Sequence, residues 1–120
     1  MNETIDTITD WHEQTFPDAT LTGQLVKFAE EMNEYDVATN SGQDALSELA
    51  DMIIVAAGIR RFDGLFASAF VQFTYMQASN AGFDMMELWD AVRKKMEKNR
   101  KRVWNKTAEG TYHHENGIED

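Results

Sequence analysis

The stretch Asp44 to Gly58, DALSELADMIIVAAG, constrains the fold of this chain most. Leu46, Leu49, Ala50, Met52, Ile53, Ile54, Val55, Ala56 and Ala57 leave it no broad polar face. A helix that is apolar nearly all round belongs at the middle of a bundle. Glu48 and Asp51 nevertheless lie inside it, at i, i+3 spacing and so on one face. Like charges on a buried helix repel each other and lose hydration, so they need cations or strong donors to stay ionised. The rest of the chain has to supply that compensation.

The remaining periodicities predict an all-α fold, an antiparallel helical bundle. Ile5, Ile8 and Trp11 give a short first helix, broken at Thr15-Phe16-Pro17-Asp18, where the only proline lies. A second helix is expected from about Leu21 to Ala38, with Leu21, Leu25, Phe28, Met32 and Tyr35 as its apolar stripe. Asn40-Ser41-Gly42 supplies turn chemistry before the central helix. A fourth helix, Leu65 to Ser79, carries Leu65, Phe66, Ala69, Phe70, Phe73 and Met76, a stripe suited to core or subunit interface. Asp84-Met-Met-Glu87 reads as a capping box that opens a last helix reaching about Trp104. Its stripe is Met85, Leu88, Trp89, Val92, Met96 and Val103. At 120 residues the chain is expected to form one domain, residues 1–106, followed by a polar tail, residues 107–120, that includes Tyr112-His113-His114-Glu115.

Charge narrows the function. A net charge of −10 argues against stable nucleic-acid binding. Seven of the eleven basic residues fall between Arg93 and Arg102, so the rest of the chain is strongly acidic and faces one basic helix. There is no cysteine, which excludes disulfides and thiolate metal sites and fits a cytoplasmic protein. No membrane span is expected, and MNETIDTITD lacks the basic and apolar regions of a secretory signal.

On the second helix, Lys27, Glu30, Glu31 and Glu34 fall on one arc, away from the expected apolar stripe. Taken alone, that arc reads as a solvated face with a Lys27–Glu31 pair worth a few tenths of a kcal/mol, ~0.2–0.5. Glu31 and Glu34 form an E-x-x-E, and Glu48 and Asp51 an E-x-x-D. A short loop makes the two helices antiparallel neighbours, so the two pairs can face each other. Four carboxylates without cysteine or histidine on either helix make an all-oxygen site, which favours Mg²⁺, with Mn²⁺ as the alternative, over zinc. Lys95, Asn99 and Arg102, at i, i+4 and i+7 beside the packed face of the last helix, add donors for phosphate, although basic residues there also suit the helix dipole. The combination points to metal-assisted attack of water on a phosphoanhydride.

The ordered set EEMNE (Glu30 to Glu34), ELADM (Glu48 to Met52) and KMEKNRKRVW (Lys95 to Trp104) resembles the MazG-like all-α nucleoside triphosphate pyrophosphohydrolases, over about Leu21 to Trp104. The resemblance implies a homodimer or homotetramer that uses Mg²⁺ to cleave an NTP or dNTP to the monophosphate and pyrophosphate. It implies Glu31, Glu34, Glu48 and Asp51 as metal ligands and catalytic residues. It implies Lys95, Asn99 and Arg102 as phosphate contacts, with Lys27 and Glu30 as further residues on the substrate side, Glu30 supporting the metal ligands from behind or activating water. The base falls to Trp11, His12 and Phe16, or to a second subunit. The chain departs from compact members in its long, aromatic fourth helix and in the YHHE tail.

Two rivals make different demands. A non-catalytic acidic interaction protein, such as a nucleic-acid mimic, needs its carboxylates exposed and interchangeable. A di-iron carboxylate bundle uses Glu-x-x-His motifs, and neither central helix has one.

Overall fold

The computed structural model describes residues 2–102, 104–106 and 112–114. Five helices carry the fold: α1 (Ile5–Thr15), α2 (Leu21–Ser41), α3 (Ala45–Ile59), α4 (Gly64–Asn80) and α5 (Met85–Asn99). Two short strands follow, β1 (Trp104–Lys106) and β2 (Tyr112–His114), paired antiparallel with Trp104 opposite His114. The fold is all-α, as the periodicities predict.

Local chemistry sets the helix ends. Side-chain oxygens of Thr4, Thr20, Asp44, Asp63 and Asp84 each accept from a backbone N–H in the first turn of their helix. The predicted capping box at Asp84 and Glu87 is formed in both directions, at 2.8 and 3.0 Å. Helix α2 runs on through Asn40 and Ser41 and stops at Gly42, whose φ of 74° is left-handed and suits a residue without Cβ.

α3 is the core. Each of the other four helices packs on it, and no two of them pack as extensively on each other. Leu49, Met52, Ile53 and Ile59 of α3 are wholly buried, against Ile8 of α1, Phe28 of α2 and Leu88, Val92 and Met96 of α5. α1 comes especially close at Gly58, where a Cβ would stand 2.6 Å from the His12 ring. Arg61 closes this corner by donating from Nη1 to the carbonyls of Phe16 at 2.7 Å and His12 at 3.3 Å. The same nitrogen lies 3.1 Å from His12 Nδ1. A guanidinium only donates, so Nδ1 accepts and Nε2–H donates to Gln24 Oε1 at 3.1 Å. At the far end of α1, Arg100 grips both oxygens of Glu3 at 2.8 and 3.0 Å.

Several sequence expectations are corrected. α5 ends at Asn99 rather than near Trp104, and Trp104 belongs to β1. The buried line of α2 is Gln24, Phe28, Glu31 and Ala38, while Met32, placed on the apolar stripe, is exposed. α4 meets α3 through Ala67, Val71, Thr74 and Ala78, because small side chains let the two backbones approach. Leu65, Phe66 and Met76 of the predicted stripe face solvent instead, whereas Phe70 stacks on Phe28 at 4.3 Å. The expected tail lies partly outside the described residues, at 107–111 and 115–120.

Burial, then the charge of Arg61, lowers the His12 pKa from 6.5 to about 4, against the opposing hydrogen bond to Gln24. The unfolded chain therefore binds the proton first, and the stability from neutral His12 is whole above pH 6.5 and lost as pH falls toward about 4. We expect His12 to cost on the order of 2 kcal/mol of unfolding free energy between about pH 7 and about pH 4.5. Denaturant titrations at both pH values check this, and His12→Gln should show a smaller fall than the wild type.

Candidate functional site

The site forms where α2 faces the first half of α3, with α5 alongside. A 3.6-residue repeat carries the buried line of α2 from Gln24 through Phe28 to Glu31, so Glu31 points inward. It is 5% exposed, which reverses its expected place on a solvated arc. Glu48 and Asp51, expected to be the buried pair, are only half-buried, since they lie on the strip of α3 that looks into the gap between α2 and α5. Glu34 and Glu30 are exposed.

One carboxylate oxygen each from Glu31, Glu34 and Glu48 lie within 4.8 Å of one another. Glu31 Oε1 faces Lys27 Nζ at 3.5 Å, and Lys27 also reaches Glu30 at 3.9 Å. Glu31 Oε2 is buried and has no hydrogen-bond partner among the described residues. Asp51 lies outside the group of three but acts on it through its charge, and its Oδ2 accepts from Lys95 Nζ at 3.2 Å. Burial, then Asp51 and a hydrogen bond with Glu34, pushes the Glu31 carboxyl up to about 9, against the pull of Lys27. Burial, then Asp51 and Glu34, raises Glu48 to about 7. Burial works to lower the Lys27 pKa, but Glu31, Glu30 and Glu34 outweigh it and raise it. Without a cation the cluster thus holds protons near neutrality, and a bound cation would take their place. An orphaned buried oxygen among carboxylates, with no sulfur or imidazole donor in the cluster, fits a hard divalent cation.

Of the three residues that the sequence places at the edge of the packed face of α5, two lie inside it. Lys95 and Asn99 are buried, at 6% and 8%, and Lys95 is tied to Asp51. Arg102 donates from Nη1 to Asn99 Oδ1 at 3.2 Å, and its guanidinium carbon lies 5.9 Å above the Trp104 ring. Trp104 in turn packs edge-on against Phe16 at 5.2 Å and Trp11 at 6.3 Å. Trp11, His12 and Phe16 are thereby joined to the basic end of α5 by a residue to which the sequence analysis gave no role. The only signal for Trp104 in the sequence is an aromatic two places after Arg102, just past the end of an amphipathic helix.

Over 107 residues, 89% of its length, the chain is 30% identical to a dATP/dGTP diphosphohydrolase of Salmonella phage PMBT28. It spans 29% of that protein's length. No family model and no solved structure matches the chain. Among the described residues no helix is long and apolar enough to cross a membrane.

If the carboxylates bind a divalent cation, melting curves should show it. At a hundredfold excess over Kd, Mg²⁺ or Mn²⁺ should stabilise the wild type by about 2.7 kcal/mol, a rise in Tm of roughly 5–15 °C. Glu31→Gln should match or exceed the wild type in EDTA and gain less from either metal. The absence of a divalent-specific shift at saturating metal would remove the site.

Proposed function

We propose that this chain is a metal-dependent nucleoside triphosphate pyrophosphohydrolase of the MazG-like kind, converting an NTP or dNTP to the monophosphate and pyrophosphate. The observation that carries this reading is the buried, unpartnered oxygen of Glu31, held among the carboxylates of Glu34 and Glu48 beside the Asp51–Lys95 pair. A surface mimic of nucleic acid has no use for a carboxylate turned inward, and the likeness to a dATP/dGTP diphosphohydrolase supports a deoxynucleoside triphosphate as the substrate class.

In this reading Glu31, Glu34, Glu48 and Asp51 hold Mg²⁺, or Mn²⁺. The cation supplies Lewis-acid polarisation of phosphoryl oxygens and a water of lowered pKa. Lys95 has three N–H donors, so it can keep Asp51 and still donate to a phosphate oxygen. Arg102 offers a planar fork that matches phosphate geometry. Lys27 engages Oε1 of Glu31, which would leave Oε2 for a cation, and it also reaches Glu30. Trp11 and Trp104, backed by the buried His12 and Phe16, supply aromatic surface for the base beside Arg102. Such a substrate fits a cytoplasmic protein.

The reading includes a homodimer or homotetramer. α4 contains no charged residue, although the chain carries a net charge of −10, and it exposes 81% of Leu65 and 63% of Met76. An uncharged apolar face is where two acidic copies can meet without repulsion. Leu65→Glu with Met76→Glu should lower the mass measured by light scattering to that of one chain; an unchanged mass would move the interface elsewhere.

The function itself is tested with a panel of NTPs and dNTPs in Mg²⁺, following pyrophosphate against orthophosphate. We expect pyrophosphate, with Asp51→Asn and Glu48→Gln lowering turnover by orders of magnitude while the far-ultraviolet dichroism stays that of the wild type. Orthophosphate alone, or turnover near wild type in both variants, would overturn the assignment.

A further inference from the structure

Lys95, Asn99 and Arg102 share one motif, but the structure engages them differently. Asn99 is the last residue of α5 and is buried. Its main-chain carbonyl accepts from the indole Nε1 of Trp104 at 3.2 Å and from the backbone N–H of Arg102 at 3.3 Å. The last carbonyls of a helix lack partners within it, so these bonds finish α5 and hold Arg102 and Trp104 against its end. The Asn99 side chain is directed the same way. Its Oδ1 accepts from Arg102 Nη1 at 3.2 Å, while Nδ2 points to Met96 Sδ at 3.8 Å, inside its own helix. Both the carbonyl and the amide of Asn99 therefore serve the segment that carries Arg102. Trp104 completes the bracket, its ring lodged on Phe16 and Trp11 of the α1 corner and its face under the guanidinium.

We propose that Asn99 is a positioning residue that acts on the triphosphate through Arg102 and makes no phosphate contact of its own. The proposal rests on the pyrophosphohydrolase reading, and it departs from the role that the motif implies for Asn99. A guanidinium has five N–H donors, and Asn99 takes one of them to fix the plane of the others. A long side chain held in its working geometry loses less freedom when it binds, so the bracket raises affinity without adding a contact.

A double-mutant cycle separates the two roles. KM and kcat are measured in Mg²⁺ for Arg102→Ala, Asn99→Ala and the pair, with pyrophosphate binding in Mg²⁺ followed by calorimetry. Arg102→Ala should raise KM and weaken pyrophosphate on the order of 10- to 100-fold, the loss of charge-assisted bonds. Asn99→Ala should raise KM by roughly three- to tenfold with a smaller change in kcat, and should add nothing in the Arg102→Ala background. A further loss there equal to its own factor would mean that Asn99 meets phosphate directly and would overturn the proposal, as would an unchanged KM in Asn99→Ala alone. If Asn99→Ala does not fold, Asn99→Ser takes its place in the cycle, because it keeps a polar group at the helix end but is too short to reach Arg102. A further loss with that variant counts in the same way. If Arg102→Ala alone leaves KM and pyrophosphate binding unchanged, the phosphate role of the basic helix falls first and this proposal falls with it. Loss confined to the cycle leaves the pyrophosphohydrolase reading standing.

Discussion

The inward carboxyl of Glu31 is the constraint on which the rest of the structure turns. One of its oxygens faces Lys27 and the other faces no donor. Leaving a buried polar atom unsatisfied costs about 1–3 kcal/mol, and more where the group is charged. Asp51 and Glu34 add repulsion instead of relief. The fold accepts this because Glu31 shares a helix line with Phe28, whose packing on Phe70 and the core holds α2 in place. Hydrophobic burial along the line keeps the carboxyl where it is, and a proton or a cation must answer its charge. Such a conflict between local electrostatics and global packing is characteristic of functional sites.

The charges of the chain are sorted by helix, and the sorting follows from α3 being the shared core. α2 and α3 bring the carboxylates, and α5 brings its basic residues to the same side of α3. Lys27 lies against Glu31 and Glu30, and Lys95 against Asp51, so two cations are set among the carboxyl groups of the cluster. α4 stays outside this arrangement. It touches α3 through small residues and turns uncharged apolar side chains outward. One edge of the bundle thus carries the carboxylates with Lys27 and Lys95, and another carries uncharged apolar side chains.

The rival reading as an acidic interaction protein fails on position more than on charge. It asks for exposed, interchangeable carboxylates, and Glu30 and Glu34 on α2 would satisfy it. Glu31 does not, because any replacement has to fit a closed space between two helices.

The bundle itself was legible in the sequence for plain reasons. Asp44 to Gly58 is too apolar to lie anywhere but the centre, and the caps at Asp84 and Glu87 are local chemistry that needs no partner. The spacing of the acidic residues also put Glu31, Glu34 and Glu48 on neighbouring helices, where their oxygens do meet. What spacing cannot say is which flank of an amphipathic helix turns inward. On α2 both Met32 and Glu31 border the Phe28 line, and only the docking of α2 on α3 chose the acid over the thioether. The end of α5 is similar. The amphipathic pattern of α5 runs on toward Trp104 in the sequence, but the helix stops at Asn99 and Trp104 packs on Trp11 and Phe16, about ninety residues earlier in the chain. The periodicity of side chains along one helix thus determined the elements and the candidate residues, while burial and bracketing depended on contacts between helices, which no local pattern encodes.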